Sequence, residues 1–254
     1  MTQDILIETH GPVRVIKFNR AEKKNAITLA MYEALSDALV EADQAADIRA
    51  CILATANENF TTGNDLQDFL AHPELDEKAG PARFITQISQ MKKPLIAAVE
   101  GLCVGVGATL LLHCDFIYAS EQASLSFPFV NIALVPEAGS TLLLERLIGH
   151  QKASELLMLG ESFEARLALE LGLINELVSK DKALAHALET AQKLAQKPPT
   201  ALLATKALMK SKTRDLEGRM AEEFIAFASC LKSPELQEAI QAFMEKRAPD
   251  YSDF

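Results

Sequence analysis

The chain has 254 residues, 49% hydrophobic and 24% charged, enough to bury a full core in one large domain, which excludes a disordered segment. A formal net charge of -10 argues against a general nucleic-acid binder, which needs a basic face for phosphates, but leaves room for an anionic small ligand met by a few lysines. Glu100, His113 and Asp115 break the apolar stretches short of the roughly 20 residues a membrane span needs. Met1-Thr2-Gln3-Asp4 carries no basic region ahead of an apolar core, so a soluble cytoplasmic protein is expected.

Val13-Arg14-Val15-Ile16-Lys17-Phe18 alternates as a half-buried strand does, and a polar loop follows from Asn19 to Asn25. Thr28 is placed to cap a helix whose Met31, Leu35, Leu39 and Ala42 recur at helical spacing. Ala50 to Ala54 reads as a buried strand, and after a loop at Gly63, Asp65 caps a short helix through Phe69. From Leu70 to Arg83 the pattern fails amid prolines and charges, and a mobile insertion flanking the site is expected. Leu95 to Val99 is a further strand, followed by a glycine-punctuated turn and the run Ala108 to His113. Phe116 to Ala119 and Leu125 to Phe127 are short strands. From Ser154 onward the pattern is almost entirely helical, broken at Lys197-Pro198-Pro199-Thr200. Strands separated by helices predict an α/β architecture with mostly parallel pairing, divided into a core of residues 1–196 and a helical region of residues 197–254.

Three segments bear on chemistry. Glu137 lies in Leu134-Val135-Pro136-Glu137-Ala138-Gly139, an acid between apolar residues where a helix is about to begin. Apolar neighbours would disfavour its ionised form and a helix amino terminus would favour it. Taken alone it reads first as a solvated first-turn glutamate, with a proton shuttle as the alternative that context must support. Phe60-Thr61-Thr62-Gly63-Asn64-Asp65-Leu66 is either an ordinary turn capped by Asp65 or a loop that lets a ligand approach the Asn64 N–H. Gly105-Val106-Gly107 follows a strand, but Leu110 stands where a dinucleotide loop needs its third glycine.

Other chemistries find little here. His113-Cys114-Asp115 is given structural roles, since adjacent side chains on an extended segment point to opposite faces. The chain lacks GxSxG, a Walker loop and HExxH spacing among its five histidines. Its four cysteines form no CxxC pair and read as free thiols suited to a reducing compartment.

Taken in order, these segments resemble the crotonase superfamily, the enoyl-CoA hydratase/isomerase group, across the whole chain. Asn19-Arg20 to Asn25-Ala26 is similar to its early loop, Thr61 to Leu66 to its first oxyanion-hole loop and Gly101 to Asp115 to its second. Leu167 to Val178, with Ala168, Gly172 and Leu173, resembles a later family segment. The resemblance implies a spiral of repeated ββα units, a carboxy-terminal helical region that builds homotrimers or hexamers, and an acyl-CoA thioester substrate with no separate cofactor. Asn64 N–H and Val106 N–H would bind the thioester oxygen, with Thr61, Thr62, Gly63, Asp65, Leu66 and Gly105 framing the ligand.

The departures set the expected subclass. Thr109 and Phe129 stand where the hydratase pattern has its two glutamates, whereas Glu137 matches the glutamate of the Δ3,Δ2-enoyl-CoA isomerase branch. That match implies one carboxylate moving a proton from C2 to C4 in a dry pocket lined by Phe129. Lys246 and Phe243 match a segment that reaches the CoA site in relatives, though Lys246 reads equally as a solvated lysine. Gln67 replaces a phosphate-facing lysine of some relatives, which leaves Lys23 or Lys24 for the phosphates. The alternatives are another crotonase reaction, hydration or thioester hydrolysis, and a silent acyl-CoA-binding scaffold.

Overall fold

The computed structural model describes residues 4–71, 80–211, 216–230 and 232–254. A hairpin of β1 (Ile5–His10) and β2 (Val13–Phe18) leads to α1 (Leu29–Gln44), β3 (Ala50–Thr55), α2 (Leu66–Ala71), α3 (Gly80–Gln90), β4 (Leu95–Val99) and β5 (Leu102–Val104). The short α4 (Val106–Thr109) runs into a 3-10 turn at Leu110–His113, followed by β6 (Phe116–Ser120), β7 (Ser124–Ser126), α5 (Ser140–Ile148) and α6 (His150–Ser154). Then come β8 (Phe163–Glu164), α7 (Ala165–Glu170), β9 (Glu176–Val178) and the helices α8 (Ala183–Ala195), α9 (Pro199–Lys210), α10 (Leu216–Cys230) and α11 (Pro234–Glu245).

The large sheet has the order β1-β2-β3-β4-β6-β9, parallel throughout except for the β1–β2 hairpin. Successive side chains of a strand point to opposite faces, and here both faces are covered. Cys51 and Leu53 of β3 enter one apolar cluster with α1, while Ala50, Ile52 and Ala54 enter another with Ala183, Ala187 and Ala191 of α8. Such two-sided burial is why β3 and β4 are nearly unbroken apolar runs. A smaller sheet, β5-β7-β8, contributes Cys103, Leu125 and Phe163 to the first cluster.

The chain passes repeatedly from a strand of the large sheet to one of the small sheet and then to a helix. β4 turns into β5 at Gly101, where an added Cβ would lie 2.2 Å from the Glu58 carbonyl oxygen, so only glycine fits. Thr61 extends the small sheet as an isolated parallel bridge to Cys103, and β5 pairs in parallel with β7. The segments leaving Thr61, β5 and β7 therefore emerge side by side. These are the three segments that carry Asn64, Val106 and Glu137.

Two expectations need correction. The region after Ser154 is not helical throughout: β8 pairs with β7, and β9 extends the large sheet beside β6. Strands of two and three residues are too short to show alternation in the sequence. Of the expected insertion from Leu70 to Arg83, residues 72–79 lie outside the described residues, but from Gly80 the chain is the helix α3, not an irregular loop. Phe84 and Ile88 are buried, and Arg83 bonds Glu33 and Asp37 of α1 at 2.6 Å each, so the helix is specified by its docking. The carboxy-terminal helices are tied to the core where buried Lys206 of α9 meets Asp115 at 2.5 Å and the Lys93 carbonyl at 2.6 Å.

Candidate active site

The first loop is fixed from below by the early polar loop. Buried Asn25 directs its amide at the Asn59 and Phe60 carbonyls, at 2.6 and 3.1 Å, and its carbonyl accepts from the Thr61 hydroxyl at 2.6 Å. Arg20 bonds the Ala26 carbonyl and Asp65, each at 2.8 Å, and that ion pair holds the Asp65 carboxyl below its usual range. Asp65 also caps α2 by accepting from the Gln67 and Asp68 amides at 3.1 and 3.3 Å. Thr61 is fully buried and Asp65 is held by Arg20 on one side and the α2 amides on the other, so both brace the loop.

Gly63, at φ +86, turns the loop so that Ile27 N–H bonds the Gly63 carbonyl at 2.8 Å and Asp65 N–H bonds the Ile27 carbonyl at 2.9 Å. In a parallel bridge of this kind the intervening residue directs its own amide away. Among the described residues, the Asn64 N–H has no acceptor. Gly105, at φ +58, does the same for the second loop: its carbonyl accepts from Ala108 and Thr109, leaving Val106 N–H at the open start of α4 without an acceptor among the described residues. The loops touch through their glycines, where a Cβ on Gly63 would lie 3.0 Å from the Val104 carbonyl oxygen and 3.8 Å from the Gly105 Cα. Two unused N–H groups thus flank one close approach, which is the arrangement an oxyanion requires.

Glu137 enters from the third segment. Ala138 and Gly139 both take left-handed conformations, at φ 55 and 66, and Gly139 precedes α5. The Ala138 carbonyl accepts from His113 Nε2 at 2.8 Å; a carbonyl cannot donate, so His113 carries its proton there. Burial holds that imidazole below its usual range, in keeping with a neutral ring. The Thr109 hydroxyl donates to Glu137 Oε1, while Oε2 is buried with no partner among the described residues. Burial raises the Glu137 carboxyl above its ordinary value, and the Thr109 hydroxyl pulls it partly back.

The source of that burial differs from the expected one. Val135 is 81% exposed and Leu134 40%, so these two neighbours of Glu137 do not desolvate it. The side chain that bonds it, Thr109, is 28 residues away. The hydroxyl of buried Tyr32 donates to Asn64 Oδ1, and the Tyr32 phenol is pushed up first by burial and then by the charge of Glu137, so the carboxyl is within electrostatic reach of the first loop's support. Sequence reading passed over Tyr32 because on α1 it is one more apolar position of a helix face.

The remaining candidates divide. Lys24 is exposed, and its carbonyl accepts from the Thr62 amide and hydroxyl at 3.2 and 3.3 Å, which sets Lys23 and Lys24 beside the first loop. Leu66 is half exposed at the start of α2. Phe129 is buried in the main apolar cluster, and its carbonyl accepts from Leu134 N–H at 2.9 Å, closing the turn before Glu137. Lys246 is exposed just beyond α11, and none of its described contacts ties it to these loops. Phe243 lies on α11, and its side chain is outside the described residues.

A family model described as Enoyl-CoA hydratase/isomerase matches residues 8–253. The chain belongs to the enoyl-CoA hydratase/isomerase family. Among solved structures of this family, an enoyl-CoA hydratase/carnithine racemase candidate from Magnetospirillum magneticum AMB-1 is 40% identical over all of both chains, with a TM-score of 0.95. The fold is the crotonase fold. The 2,3-dehydroadipyl-CoA hydratase of Escherichia coli K12 is 32% identical over 251 residues, 98% of each chain. The carnitinyl-CoA dehydratase of Salmonella typhi is 31% identical over 258 residues, again 98% of each. These relatives carry hydratase and dehydratase names. Within an enoyl-CoA hydratase/isomerase, the carboxyl and the two open N–H groups are the parts that acid-base chemistry on an acyl thioester needs.

Proposed function

We propose that the protein is a Δ3,Δ2-enoyl-CoA isomerase in which Glu137 is the sole acid-base group and Asn64 N–H and Val106 N–H form the oxyanion hole. The observation that carries this reading is the setting of Glu137: its bonded neighbour is Thr109, and among the described residues burial, not a second carboxylate, raises its pKa. Glu137 takes the C2 proton of a 3-enoyl thioester, and the C2–H electron pair flows into a dienolate whose charge rests on the thioester oxygen. Each preorganised N–H stabilises that charge by about 3 kcal/mol by analogy with measured oxyanion donors. The carboxyl then returns the proton to C4, giving the 2-enoyl thioester. Isomerisation needs water kept away, and the buried Phe129 suits that need. Lys23 and Lys24, beside the first loop, are proposed to meet the anionic end of the ligand, and a cytoplasmic homotrimer or hexamer is the proposed assembly.

The names of the relatives favour a second reading, hydration of a 2-enoyl-CoA. Incubation with 3-enoyl-CoA and with 2-enoyl-CoA separates the two. The isomerase converts the first to 2-enoyl-CoA without net water uptake, and Glu137→Gln lowers kcat by about 10²-fold or more. Accumulation of 3-hydroxyacyl-CoA as the main product or release of free CoA would overturn the isomerase assignment, and full activity in Glu137→Gln would overturn the role given to Glu137.

A further inference from the structure

Val106, Thr109 and His113 follow one another at about one-turn intervals along α4 and the 3-10 turn that continues it. Each meets a different part of the site: Val106 presents its open N–H, Thr109 bonds the Glu137 carboxyl, and His113 bonds the adjacent Ala138 carbonyl. One short helical segment therefore sets the carboxyl relative to the oxyanion hole. Thr109 occupies the place where the hydratase pattern has an acid, and it is not a passive gap. Its hydroxyl has a single proton and two oxygens in reach, Glu137 Oε1 and, at 3.3 Å, the Val106 carbonyl. The other carboxyl oxygen, Oε2, is buried and has no partner among the described residues.

We propose that Thr109 is a positioning residue that holds Glu137 through Oε1 and thereby reserves Oε2 as the oxygen that takes and returns the proton. This rests on the acid-base reading of Glu137. A lone pair of Oε2 forms the new O–H bond as the substrate C–H bond breaks, and the same O–H bond later yields its proton to carbon. Thr109 keeps its own proton throughout. A carboxylate held at one oxygen cannot swing away from the reacting carbon, and a displacement of about 1 Å at such a group costs on the order of 10²-fold in rate. A buried acceptor left empty is costly in a purely structural role, whereas it is the feature a proton acceptor must have.

The test compares wild type with Thr109→Val, which removes the hydroxyl at nearly constant shape, and with Thr109→Ser, which keeps it. The Glu137 pKa is followed through the ¹³C resonance of its carboxyl carbon, assigned by its absence in Glu137→Gln. Thr109→Val should raise that pKa, carry the basic-form limb of the kcat profile for 3-enoyl-CoA to higher pH, and lower kcat by about 10- to 100-fold with little change in KM. Thr109→Ser should restore all three. If Thr109→Val fails to fold, Thr109→Ala removes the same hydroxyl. A Glu137 pKa unmoved by loss of the hydroxyl would overturn the proposal, even with a lowered melting temperature. If wild type leaves 3-enoyl-CoA unchanged, the isomerase reading falls, and the resonance titration still decides the role of Thr109.

Discussion

Glu137 is costly to the fold in its ionised form, and that cost has a sign that can be checked. Burial raises its pKa in the native state above the ordinary 4.5. The native state therefore binds the proton more tightly than the unfolded chain, and stability is lost as pH rises through the native pKa. Glu137→Gln removes this penalty. Thermal melting at pH 7–8 should show a higher Tm for Glu137→Gln than for wild type, and the difference should vanish below about pH 4, where the carboxyl is neutral in both states. A gain independent of pH would mean that packing, not ionisation, separates the two proteins. Position 137 was legible in the sequence, because Pro136, Ala138 and Gly139 announce a turn before a helix. Its burial was not, since Leu134 and Val135 face solvent and Thr109, which bonds the carboxyl, lies 28 residues away.

At the scale of elements, a buried cation ties α9 to the core. Lys206 reaches Asp115, which also accepts from the Leu95 amide at 2.8 Å, so the pair links a helix to the loop before β6 and the start of β4. Removing one member of a buried pair leaves the other charge uncompensated, at a cost of about 3–5 kcal/mol. Lys206→Met should lower the unfolding free energy by that amount, read as a lower urea midpoint with the denaturant slope unchanged. An effect below about 1 kcal/mol would show that Asp115 is satisfied by backbone and solvent. Elements with strong local signals were readable: α1 from its periodicity and the Thr28 hydroxyl, which accepts from Met31 N–H at 3.3 Å, and β3 and β4 from continuous burial. The strands β8 and β9 were not, because pairing to β7 and β6 defines them more than their residues do.

For the whole molecule, the carboxy-terminal helices leave an apolar surface with no cover in a single copy. Phe224 is 73% exposed, Ile225 71% and Phe227 65% on α10, and Met244 is 76% exposed on α11. Isolated exposed apolar residues are ordinary, but several large ones on two consecutive helices suit an interaction surface. The proposed homotrimer or hexamer would cover it. Light scattering after size exclusion should give three or six times 27.7 kDa, and a monomer at micromolar concentration would contradict that assembly.

The sequence by itself determined what depends on neighbours in the chain: the parallel α/β order, the left-handed glycines at 63 and 105 that free one N–H each, and the turn that presents Glu137. Only the tertiary structure decided what depends on distant partners. Thr109 lies 28 residues from Glu137, and Tyr32 lies 32 from Asn64. Desolvation and hydrogen bonding act through space, so which carboxyl oxygen is held and which is left open could be fixed only once the segments leaving Thr61, β5 and β7 lay side by side.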